Sequence, residues 1–119
     1  MEEMNEDMQG KFMQFQQLQQ QVQMIATQKY QVDLQMNEIE RTLEEVKKLK
    51  KTAGLYRSIG SLLVKVDDKE SLVKEMDAKK ETLAIRAKTL GNQEKSLRDK
   101  HQKLQEELST ALSKPQGGG

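Results

Sequence analysis

The 119 residues are 33% charged and 34% hydrophobic, with two Phe, two Tyr and no Trp, against roughly 45–50% apolar and about 25% charged content in an average globular domain. That composition excludes a conventional buried core, and the absence of cysteine excludes disulfide staples and thiolate metal sites. With 20 basic and 19 acidic residues the formal net charge is +1, which supplies no overall field toward nucleic acid or anionic lipid.

The start, Met1-Glu2-Glu3-Met4, lacks a basic segment followed by an apolar one, and no apolar run approaches the roughly 20 residues that cross a bilayer. These features predict a cytoplasmic protein with no membrane partner.

Alternating steps of three and four from Met1 pass through Met4, Met8, Lys11, Phe15, Leu18, Val22, Ile25, Lys29, Val32, Met36, Ile39, Leu43 and Val46. All but the two lysines are apolar, the pattern of a coiled-coil seam. The remaining faces carry Gln14, Gln16, Gln17, Gln19, Gln20, Gln21 and Gln23, helix formers that need no burial. A first helix over about 10–53 follows. Gly54 suits the left-handed position after its end, and Lys47, Lys48, Lys50 and Lys51 suit the negative pole of a helix C-terminus. We read that basic run as a solvated face and not as a docking surface.

Residues 55–66 are strand-forming. Gly60-Ser61 places glycine first in a two-residue loop, which selects a type II′ hairpin pairing Ile59 with Leu62, Arg57 with Val64 and Leu55 with Val66. An isolated hairpin is marginally stable at best, so Leu55, Ile59, Leu62, Val64 and Val66 are predicted to form an oligomerisation surface.

A second helix is expected over about 68–112, with Asp67 and Glu70 as a capping box. Its seam runs Val73, Met76, Lys80, Leu83, Ala87, Leu90, Glu94, Leu97, His101, Leu104, Leu108 and Ala111. Gly91 lies inside it without a sequence-level explanation. Lys114-Pro115 and the glycines after it predict a flexible tail over 113–119. The whole reads as one domain: a mainly α, antiparallel two-helix coiled coil joined by one β-hairpin. Helices of about 65 Å would place at one level residues whose numbers add to about 121, so the charged seam residues Lys29 and Glu94 should meet.

No phosphate loop, paired histidines or cysteine nucleophile is present, and no enzyme, cofactor or metal is predicted. His101, the only histidine, sits at a seam position and reads as a packed residue, while Asp33 and Asp99 have no acid–base partner.

Three stretches in this order resemble β-class prefoldin subunits, closest to the archaeal type. Residues Phe15-Gln16-Gln17-Leu18-Gln19-Gln20-Gln21 are similar to the family's first helix. The hairpin Tyr56-Arg57-Ser58-Ile59-Gly60-Ser61-Leu62-Leu63-Val64-Lys65-Val66 is the most diagnostic. Glu81-Thr82-Leu83-Ala84-Ile85-Arg86-Ala87-Lys88-Thr89-Leu90, followed by Gln93-Glu94, looks like the second helix. The resemblance implies a hetero-hexamer of two α-class and four β-class subunits, with hairpins joined in an intersubunit β-barrel. It also implies an ATP-independent holdase that binds unfolded client proteins and transfers them to a group II chaperonin.

The level rule predicts that Met4 and Met8 fall opposite the Pro115 break, so that the first seam continues as apolar surface at the coiled-coil tip. Clients are therefore expected to bind Met1, Met4, Met8 and Phe12, with Leu108 and Leu112 contributing less. The alternative functions are a structural coiled-coil tether or scaffold, which needs no such hairpin, and an RNA-gripping arm like that of seryl-tRNA synthetase, which wants a basic stripe.

Overall fold

The computed structural model describes residues 6–113. In chain order the elements are α1 (Glu6–Lys48), β1 (Tyr56–Ile59), β2 (Leu62–Lys65) and α2 (Lys69–Ser113). Two long helices with a two-stranded hairpin between them make up the chain, as its periodicity predicts. Every described position of the first seam is buried or half-buried, and so is every position of the second except Ala111. The chain divides into two compact units, Met1–Lys29 with Thr89–Gly119, and Tyr30–Lys88.

In the first unit, Leu18, Leu104 and Leu108 form a buried cluster against which Phe15 and Leu97 pack. Val22 and Leu90 are buried as well. Burying a leucine side chain is worth about 1.5–3 kcal/mol, and with so few aromatics these seam residues carry most of the apolar stabilisation. The two helical segments run antiparallel here: Lys11 Nζ lies 3.7 Å from Glu107 and Lys29 Nζ 3.8 Å from Glu94. The expected meeting of Lys29 and Glu94 is therefore present, and Arg98 also reaches Glu94, at 3.3 Å.

Gly91 lies beside that pair. A Cβ placed on it would lie 3.9 Å from Lys29 Cε and 4.0 Å from Nζ, so the lysine stem passes over the glycine on its way to Glu94. Those distances are ordinary van der Waals contacts. Gly91→Ala should therefore fit, and should stabilise the protein by about 1 kcal/mol through its better helix propensity. Gly91→Leu should instead displace Lys29 and lower stability. Denaturant titration of the two variants checks both signs.

In the second unit, Val32, Leu43 and Val46 are buried, and Lys80 Nζ reaches Glu40 at 2.9 Å. The hairpin pairs Tyr56 with Lys65, Arg57 with Val64, Ser58 with Leu63 and Ile59 with Leu62. The Val66 amide donates to the Leu55 carbonyl at 2.8 Å, which extends the same register. Gly60 has φ of 60°, and no described residue other than glycine has positive φ. Positive φ at the first loop position alone is the signature of a type II′ turn.

The ends of the helices differ from the sequence-based expectation. The first helix stops at Lys48, not near 53, and a separate turn follows in which the Ala53 amide donates to the Lys50 carbonyl at 2.9 Å. The physical reason is a partner far along the chain. The Lys69 ammonium donates to the Leu49 carbonyl at 2.8 Å and to the Lys47 carbonyl at 3.5 Å, satisfying acceptors that a longer helix would have used itself. The N-cap of α2 is Asp68 and not Asp67: its Oδ1 accepts from the Ser71 amide at 3.2 Å, while its carbonyl accepts the first helical bond from Leu72. The helix continues to Ser113, one residue past its predicted end, and the rest of the predicted tail lies outside the described residues.

Candidate functional site

Two surfaces stand out, one in each unit. In the second unit the hairpin leaves its apolar side chains in solvent. Ile59 is 55% exposed, Leu62 66% and Val64 40%, while Leu55 and Val66 at its base are half-buried. Leu63 and Tyr56, on the opposite face of the ribbon, are exposed too, Leu63 at 74%. Period-two alternation assigned apolar character to one face only, so Leu63 was missed, although a run of three apolar residues through Leu62, Leu63 and Val64 is the signal that both faces are apolar.

What orients this ribbon is a bidentate pair. Arg57 in β1 donates from both terminal nitrogens to Glu75 in α2, at 3.1 and 3.2 Å. These hydrogen bonds, with the charge behind them, hold the Glu75 carboxyl below the usual carboxylate range and raise the Arg57 guanidinium further. A carboxyl lowered on folding contributes stability above its unfolded titration range and loses it as pH falls through the folded value. In an NMR pH titration, Glu75 should titrate below an unfolded-chain glutamate, and Arg57→Gln should bring it back up. An unchanged midpoint in that variant would show that the guanidinium does not hold it.

In the first unit, the last turns of α2 and the start of α1 enclose a shallow groove lined by Phe12, Phe15, Gln105, Leu108, Ser109 and Leu112. Leu108 is buried in its floor at 7% exposure, whereas Phe12 (41%) and Leu112 (65%) project at its rim. Met8 is half-buried. Met1 and Met4 lie outside the described residues. Beneath the groove His101 stacks on Phe15, with ring centroids 4.4 Å apart and planes inclined by 20°. Its Nε2 is buried and has no hydrogen-bond partner among the described residues. The imidazole thus acts as a packed seam residue, and the stacking offsets part of the cost of that orphaned nitrogen.

Sequence periodicity also missed the apolar side chains off the seam: Met13, Met24, Tyr30, Leu34 and Ile85 are all exposed. Their spacing matches neither seam, so the periodicity carries no signal for them.

The geometry of helix, single hairpin and helix is shared with a solved structure. The prefoldin beta subunit from Thermococcus strain KS-1 superposes with a TM-score of 0.85 at 34% identity, covering 97% of this chain and all of its own. The family model for the prefoldin subunit matches residues 9–114. The chain belongs to the prefoldin family. The prefoldin beta subunit of Thermoplasma volcanium is 46% identical over 98 residues, covering 82% of this chain and 79% of its own length. That of Archaeoglobus fulgidus is 44% identical over 105 residues, covering 88% and 89%. The β class to which the three stretches bear a resemblance is thereby shown, and the chain is a prefoldin chaperone subunit. The prefoldin match takes in the first seam from Lys11 onward, the whole second seam, the exposed hairpin and the residues that line the groove. No helix among the described residues is long and apolar enough to cross a membrane.

Proposed function

We propose that this subunit assembles, through its hairpin, into a cytoplasmic hetero-hexamer of two α-class and four β-class subunits whose hairpins close a β-barrel. The assembly holds unfolded proteins at the ends of its helical arms without ATP and hands them to a group II chaperonin. The observation that carries the reading is the exposed apolar rim of Phe12 and Leu112 over a groove floored by Leu108. Apolar surface of this kind commonly marks a binding site in a water-soluble protein. Four copies around one cavity would act multivalently, so contacts that are weak singly retain a chain that no single tip could hold.

Replacing Met4, Met8 and Phe12 together by serine tests it. In a correctly assembled hexamer the variant should need about tenfold more chaperone to suppress aggregation of a denatured client, given roughly 1.5–3 kcal/mol for each large apolar side chain fully buried and partial burial here. Suppression equal to that of the unaltered protein would place the grip elsewhere.

A further inference from the structure

One stretch of the first unit departs from the rest of the chain. A third of the residues are charged, yet from Phe12 to Gln28 none is, and Lys11 and Lys29 bracket the gap. At 1.5 Å per residue the uncharged stretch runs for about 25 Å. Its seam side, Phe15, Leu18, Val22 and Ile25, is buried or half-buried. On the opposite side, steps of three and four pass through Gly10, Met13, Gln17, Gln20 and Met24, and all five are exposed. Met13 is 70% and Met24 62% exposed. Gly10, Met13, Gln16, Gln17 and Gln20 line a shallow concavity, and a methyl group added at Gly10 would meet nothing within 4 Å, so that end is open.

Keeping a helix soluble does not require this composition. Elsewhere the same chain uses Lys and Glu, which are equally good helix formers. Leaving charge out has a specific consequence. A charged surface selects partners of opposite sign and resists apolar ones, because each ion must be desolvated when covered. A glutamine amide instead offers N–H donors and a carbonyl acceptor without net charge, the same kinds of group that a peptide unit presents. Methionines at either end of the amide pair add unbranched, polarisable side chains that repack against varied apolar groups. The face is therefore blind to charge and sequence while matched to backbone.

We propose that the outer face of α1 through Met13, Gln17, Gln20 and Met24 is a second docking surface for non-native polypeptide. Gln17 and Gln20 hydrogen-bond the extended client backbone, and the two methionines cover its apolar side chains. The inference rests on the holding function proposed above, but it concerns a different set of residues from the tip and can fail separately.

The test uses hexamers reconstituted with an α-class subunit and a fluorescent denatured client. Gln17→Ala/Gln20→Ala removes the amides and keeps the face uncharged, while Gln17→Glu/Gln20→Glu adds charge; both preserve helix propensity, and circular dichroism and native mass check the fold and assembly. Each is expected to weaken client binding about tenfold, corresponding to two modest hydrogen bonds. A photo-crosslinker at position 17 should attach to the denatured client and not to the native one. Wild-type affinity in both variants, with the tip serine variant impaired, would overturn this surface and leave the tip reading standing. Weakened binding in both glutamine variants with an unimpaired tip variant would support the surface and overturn the tip. Loss only in the glutamate variant would refute amide recognition, and crosslinking of position 17 to another subunit would show that the face is an interface within the hexamer.

Discussion

Val64→Asp should leave the subunit unable to enter a hexamer with an α-class partner, while its helices still form. Val64 faces Arg57 in the hairpin register and lies on the face that also carries Ile59 and Leu62. Two strands with this much apolar surface in solvent have no stable existence alone, since isolated hairpins are marginal in water. Covering the face with strands of other subunits removes that surface from water, and a carboxylate in the middle would have to be buried beside an Arg57 guanidinium that Glu75 already holds. Such a charge costs several kcal/mol per copy even after relaxation, and every β-class subunit of the assembly would carry it. Native mass spectrometry of the variant mixed with an α-class subunit reads the result directly: free subunits are expected. Normal hexamers at normal affinity would refute assembly through the hairpin.

Leu104→Ala should cost about 2–4 kcal/mol, the usual range for truncating a buried leucine. Leu104 is 7% exposed in the cluster with Leu18 and Leu108, and Phe15 and Leu97 pack against that cluster. A two-helix layer has no second shell of core behind it, so few neighbours can move in to fill the space. Ile85→Ala is the control. At 63% exposure Ile85 has little burial to lose, and the change should stay within about 0.5 kcal/mol. Chemical denaturation of the two variants should therefore separate them clearly, and equal losses would mean that the seam does not carry the stability.

These two expectations rest on features of very different legibility. The seam residue Leu104 is visible in the sequence because a coiled coil repeats one packing interaction every three or four residues, and repetition is what periodicity detects. Phe15 with His101 and Lys29 with Glu94 occupy seam positions for the same reason, although only the structure reveals that the first pair stacks. The tip is partly legible. Leu108 lies on the second seam and Leu112 does not, and the fold accordingly buries the former, which faces Leu18 and Leu104 in the cluster, and exposes the latter.

The sequence by itself determined the two helices, the register of the hairpin and the identity of the seam, since each follows from local spacing or from one residue's backbone freedom, as at Gly60. The tertiary structure decided the end of α1, the cap of α2, the anchoring of the hairpin and the place of Gly91. Lys69 reaches a carbonyl 20 residues away, and Arg57 grips a carboxylate 18 residues away. Gly91 lies beside a lysine of the other helix. Contacts of this kind form once, between residues brought together only by folding, and a single through-space contact leaves no repeat in the chain by which it could be read.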